Sequence, residues 1–139
     1  MTAFSTSFRV RYAEIDGQKI VFNSRYLEYA DVAMTEYWEW TGIETLGAVW
    51  AESEFHIRHA SVDYRRPFVW RDTIEARVRI DRIGGSSLTA VIDLHHAATG
   101  ELRTVIEMTI VNVDLLSGNA VRIDDAVRGY LTQLAVGEK

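Results

Sequence analysis

Four stretches in which apolar and polar residues alternate follow one another between residues 60 and 110, and no other feature of the chain limits its fold so strongly. The apolar sets are Ala60, Val62 and Tyr64, then Ile74, Ala76, Val78 and Ile80, then Leu88, Ala90, Ile92 and Leu94. Leu102, Thr104, Ile106, Met108 and Ile110 form the last of them. Side chains of a strand point to opposite faces in turn, so a period of two marks a strand with one face buried. The segments between the sets are turn chemistry: 66–72 opening on Arg66-Pro67, then Gly84-Gly85-Ser86, then Thr99-Gly100. Strands joined by connections this short run mostly antiparallel.

Upstream, Phe4, Thr6, Phe8, Val10 and Tyr12 alternate with Ser5, Ser7, Arg9 and Arg11, which predicts a first strand. A polar stretch from Glu14 to Lys19, containing Asp16-Gly17, interrupts it. Leu27, Ala30, Met34, Tyr37 and Trp38 then fall at helical spacing, with Asn23 or Ser24 placed to cap the start and Gly42 to stop the end. Tyr26, Tyr29, Ala33 and Trp40 make the other side of this helix apolar too, so the helix is expected to be largely buried. A turn or two of helix is expected within 44–51. Another helix is expected over 124–134, where Ala126, Val127, Tyr130, Leu131 and Leu134 follow two acids.

The order strand, long helix, four strands, short helix describes an α+β layer in which a sheet can wrap a helix. At 139 residues, with one Pro and nine Gly, residues 1–139 read as a single domain that buries roughly two-thirds of its unfolded surface. The chain has no cysteine, which removes disulfides, thiolate metal sites and a cysteine nucleophile. A net charge of -5 disfavours a general nucleic-acid role. No apolar run is long enough to span a bilayer, so no membrane role is expected and the cytoplasm is the default location.

G-x-S-x-G, H-E-x-x-H and the glycine-rich phosphate loop are all missing. His56 and His59, three apart in a strand, would face opposite ways, as would His95 and His96, so no metal site is expected. Gly84-Gly85-Ser86-Ser87 beside Arg82 is first a hairpin turn, and Arg65-Arg66 first a solvated loop. The junction YAEIDGQKIVFNSRY over 12–26 carries more. Two acids and a lysine there lie next to Ile20-Val21-Phe22 and a helix start. Unpaired N–H groups and the positive end of the helix dipole suit a developing oxyanion, and a carboxylate beside them can act as nucleophile or general base. The alternative is that Asp16-Gly17 is only a turn.

The stretch FRVRYAEIDGQKIVFNSRYLEYADVA resembles the signature of the 4-hydroxybenzoyl-CoA thioesterase family of hotdog proteins, through Asp16, Ile20, Val21, Phe22 and Tyr26. A second block, with Tyr64, Pro67 and Asp72 ahead of a strand, is similar to the same family. The resemblance implies a long central helix wrapped by a curved antiparallel sheet of about five strands. It further implies a homodimer or homotetramer with sites at subunit interfaces, and hydrolysis of an acyl-CoA thioester without a cofactor. It makes Asp16 the catalytic carboxylate and the Asn23 amide the group that polarises the carbonyl. Phe22 and Tyr26 would lie near the acyl group, and Arg82, Ser86 and Ser87 near the phosphates or pantetheine arm of CoA. The aromatic residues suit an aromatic or medium-chain acyl group.

Two positions depart from the pattern: Lys19 stands where relatives usually have Gly, and Asn23 where many have His. Lys19 could hold Asp16 ionised or alter the turn. Two other activities fit the same features, namely hydrolysis of acyl groups on a carrier protein and binding of acyl thioesters without cleavage.

Overall fold

The computed structural model describes residues 3–137. Its five strands are β1 (Phe4–Arg9), β2 (Phe55–Tyr64), β3 (Thr73–Ile83), β4 (Ser87–His96) and β5 (Leu102–Asn112). They form one antiparallel sheet in the order β1-β3-β4-β5-β2. The first helix, α1 (Arg25–Thr41), lies between β1 and β2 in the chain and leads from one edge strand of the sheet to the other. A 3-10 turn (Ile43–Leu46) and a four-residue helix α2 (Ala48–Ala51) follow, separated by Gly47 at φ +70°. The chain ends in α3 (Asp125–Gly137). Among the described residues no helix is long and apolar enough to cross a membrane.

The alternation read from sequence is the alternation of burial. In β3, Ile74, Ala76 and Val78 are buried while Thr73, Arg77 and Arg79 are exposed. The inner face continues through Ala90, Ile92 and Leu94 of β4 and Ile106, Met108 and Ile110 of β5. Tyr26, Tyr29, Ala30, Ala33, Met34 and Tyr37 of α1 complete the core with Val127 and Leu131 of α3. Fully burying a side chain such as Ile92 or Ile106 contributes about 1.5–3 kcal/mol, so the helix is held by its apolar face more than by propensity. Register shifts near Arg58 and Asp81 mark bulges, which bend strands and help the sheet curve around the helix. This is the helix-in-sheet arrangement that the resemblance implies.

Two expectations need correction. The first strand ends at Arg9, not Tyr12: Val10 N–H donates to the Asp72 carbonyl at 2.9 Å, and the chain then turns into a 3-10 segment (Tyr12–Glu14) that leaves Tyr12 73% exposed. α1 is also less covered than its composition suggests, because Leu27 and Val32 stand exposed. The helix is apolar over a wider arc than one sheet can cover. Strand β2 is exposed along most of its length, with Ile57 56% exposed, because it is an edge strand that α1 leaves uncovered.

Candidate active site

Residues 15–21 close a small hairpin. Ile15 bridges to Val21, Asp16 N–H donates to the Ile20 carbonyl at 3.0 Å, and Lys19 N–H donates to the Asp16 carbonyl at 2.9 Å. One carboxylate oxygen of Asp16 accepts the Gln18 N–H at 2.8 Å, the local bond that makes Asp a turn residue. The last loop position, Lys19, has φ +66°. A three-residue loop of this kind ends on a left-handed residue, where glycine costs least, so the turn here carries a strained lysine. Lys19 is exposed, and the ion pairs of the described residues include none between it and Asp16.

The chain then enters α1. Val21 N–H donates to the Phe68 carbonyl and Phe22 N–H to the Glu14 carbonyl, each at 2.9 Å. Ser24 occupies the cap position but its side chain makes no capping bond, so the helix start is open where a side-chain cap was expected. The Phe22 carbonyl accepts from Arg25 N–H at 2.9 Å. The C=O and N–H of one peptide unit point in opposite directions, so the Asn23 N–H is aimed away from the helix. Among the described residues, neither the Asn23 nor the Ser24 N–H donates to a protein acceptor. Two free donors thus lie at the positive end of the helix.

Asp16 and Gln18 of the hairpin, Asn23 and Tyr26 of the helix start, and Tyr64 to Pro67 after β2 line one cavity of about 270 Å³. Tyr64 and Tyr26 meet edge to face at 5.0 Å. The Tyr26 hydroxyl accepts the Phe68 N–H at 3.3 Å, and burial pushes its pKa above the usual phenol value, so it remains neutral. Arg65 is paired with Asp63 at 2.9 Å and Arg66 with Glu101 at 2.7 Å. Both backbone N–H groups of this arginine pair donate to the Arg103 carbonyl. Asp72 locks the far end of the same loop: it accepts the Val69 N–H at 2.9 Å and lies 3.2 Å from His96 and 3.4 Å from Arg103.

The structure therefore brings Asp16, Asn23 and Tyr26 together. Phe22 is 46% exposed and does not line the cavity. Arg82, Ser86 and Ser87 lie at the opposite end of β3, on the order of 30 Å along the strand from the cavity end. There the Gly85 carbonyl accepts from Ile123 N–H and Arg128, and the Ser86 carbonyl from Asn112 N–H, so the turn is a packed hairpin within one chain. The arginine pair is solvent-exposed, as read, and also lines the cavity. The Tyr64 hydroxyl, which donates to the Asn23 carbonyl at 2.9 Å, and the buried Glu14 were also missed as parts of the site. The adjacency of Arg65-Arg66 to Tyr64 and Pro67 was the one available signal.

A single antiparallel sheet that wraps a helix is the hotdog fold, here with Asp16 and the helix start on one cavity. The chain belongs to the thioesterase-like superfamily, which it matches over residues 10–131. It is 27% identical to the long-chain acyl-CoA thioesterase FadM of Escherichia coli over 135 residues, covering 93% of this chain and 97% of that protein. In fold it is similar to the DHNA-CoA thioesterase of Staphylococcus aureus, at a TM-score of 0.85 and 15% identity, covering 100% of this chain and 97% of that one. The 1,4-dihydroxy-2-naphthoyl-CoA thioesterase Slr0204 of Synechocystis has a TM-score of 0.82 and 15% identity, with 95% and 97% covered.

Proposed function

We propose that this protein hydrolyses acyl-CoA thioesters, with Asp16 as the reacting carboxylate and the Asn23 N–H as the donor to the thioester oxygen. The observation that carries the reading is that Asp16 and Asn23 share one cavity with the helix start open. The thioester carbonyl sits on the Asn23 N–H, where negative charge developing on oxygen meets the helix dipole. Asp16 either takes a proton from the attacking water, or attacks the carbon to form a mixed anhydride that water then hydrolyses; in both routes the CoA thiolate leaves and takes up a proton. The paired rings of Tyr26 and Tyr64 and the apolar Ile20 and Val21 favour an aromatic or medium-chain acyl group.

The working form is a dimer joined through β2. An edge strand of ten residues presents unpaired backbone groups, and Ile57 beside them adds exposed apolar surface. Phe55 pairs with Asn112 and Ser87 with Val111, so the turn carrying Ser86 and Ser87 shares one end of the sheet with the start of β2. Antiparallel pairing of β2 with its copy sets the start of the partner's strand beside Tyr64. Ser86 of the partner subunit then lies about three strand spacings away, roughly 14 Å, a span suited to the pantetheine arm.

A panel of aromatic, medium-chain and long-chain acyl-CoA substrates with free-thiol detection tests the reading, with Asp16→Asn as the control. Asparagine can still accept the Gln18 N–H, so the turn survives, while turnover falls at least about a hundredfold. Near-normal turnover by Asp16→Asn removes the carboxylate from the mechanism. No turnover of any acyl-CoA by the wild-type protein removes the activity.

A further inference from the structure

Glu14 is 3% exposed, two residues before Asp16, and both of its carboxylate oxygens are saturated. One accepts the Arg11 N–H at 2.8 Å and the Tyr29 hydroxyl at 2.9 Å. The other accepts Nε and Nη2 of Arg11 at 3.2 and 3.0 Å. Its main chain is committed as well: Glu14 N–H donates to the Arg11 carbonyl, and its own carbonyl accepts the Phe22 N–H. The segment after the first strand, the helix and the residue before Asn23 are thus tied to one side chain and its peptide group.

We propose that Glu14 is a positioning residue for the thioester reaction, setting the separation between the Asp16 carboxylate and the Asn23 N–H through its bonds to Arg11, Tyr29 and Phe22. The inference rests on the reading of Asp16 and Asn23 as the reacting pair. The rungs Glu14–Phe22, Ile15–Val21 and Asp16–Ile20 form a continuous ladder, so a shift at Glu14 is carried to Asp16. On the other side, Tyr29 lies within α1 and Phe22 immediately before Asn23, so the same shift moves the N–H. Stability alone does not call for an acid here. The Arg11 side chain is 74% exposed, so its ion pair is screened by solvent, whereas four directed bonds to a buried carboxylate fix a geometry. Burial, and next the bond to Glu14, push the Tyr29 pKa far up, so this hydroxyl stays a donor.

The test uses Tyr29→Phe, which removes one arm, Glu14→Gln, which keeps the acceptor for Arg11 N–H and Tyr29, and Glu14→Leu, which removes every side-chain bond but offers apolar packing. Decanoyl-CoA and benzoyl-CoA turnover are measured well below each melting temperature, with affinity for the non-hydrolysable decyl-CoA thioether measured separately. A misplaced reacting pair lowers kcat by more than about fivefold in Tyr29→Phe and Glu14→Leu, with less loss in Glu14→Gln, while KM and thioether affinity stay within about twofold. Smaller falls in kcat, or falls matched by equal loss of thioether affinity, overturn the proposal. Wild-type turnover by Asp16→Asn instead overturns the reading beneath it. An inert Asp16→Asn beside fully active Tyr29→Phe and Glu14→Gln overturns the positioning role alone.

Discussion

The hydroxyl of Tyr64 donates to the main-chain carbonyl of Asn23 at 2.9 Å, joining the last residue of β2 to the first open peptide groups of α1. That carbonyl belongs to the same peptide unit as the Ser24 N–H, so the bond also fixes where that donor points. Tyr64 is half exposed, and the bond carries little of the stability of the fold.

Tyr64→Phe should therefore unfold at nearly the wild-type temperature but turn over acyl-CoA about threefold to tenfold more slowly, the value of one hydrogen bond. Steady-state kinetics beside a thermal melt separates the two effects. A loss confined to stability would remove Tyr64 from the site.

Lys19→Gly should stabilise the protein by about 1 kcal/mol or less, because relief of a left-handed side chain outweighs the extra freedom glycine has when unfolded. Among the described residues no ion pair joins Lys19 to Asp16, so turnover at neutral pH should stay within about twofold of the wild type. Calorimetry and steady-state kinetics check both, and a larger change would show that the ammonium reaches Asp16 during turnover.

Glu14 makes the fold acid-sensitive. Burial raises its pKa, but the Arg11 N–H, the Tyr29 hydroxyl and the Arg11 guanidinium outweigh that and hold it below the ordinary 4.5. A carboxyl with a depressed folded pKa contributes stability that is present above the unfolded value and lost as pH falls through the folded one. Urea unfolding from pH 7 to 3 should show a steeper loss below about pH 4.5 in the wild type than in Glu14→Gln. Equal slopes would place the ionised partner elsewhere.

Ile57→Lys places a charge on the exposed edge strand through which the proposed dimer joins, and should yield a folded monomer with little activity. Sedimentation velocity and turnover together check this. A fully active monomer would show that one chain holds the whole site.

Much of this was legible in the residues. The four alternating sets became β2 to β5, and Asp16, Asn23 and Tyr26 met as their motif implied. Glu14 was read as part of a polar loop because its burial depends on Arg11 and on Tyr29, fifteen residues away, and pairing at that distance has no periodic signature. The edge position of β2 was also hidden. Alternation reports which way a side chain faces, not whether a helix covers that face, so Tyr64 and Ile92 read alike although one is half exposed and the other buried. Arg65 and Arg66 are solvated, as read, and each carries an acidic partner; only the return of the chain past the helix start places them on the cavity as well.

The strand order has a consequence for the nascent chain. One wall of the cavity, from Asp16 to Tyr26, is synthesised before any of β2 to β5. The other wall is held by β5: Tyr64 pairs with Thr104, and the backbone of Arg65 and Arg66 hangs on the Arg103 carbonyl. Until β5 has left the ribosome its pairing cannot hold Tyr64 against Asn23, so the cavity is completed only after β5 although Asp16 and Asn23 are made before it.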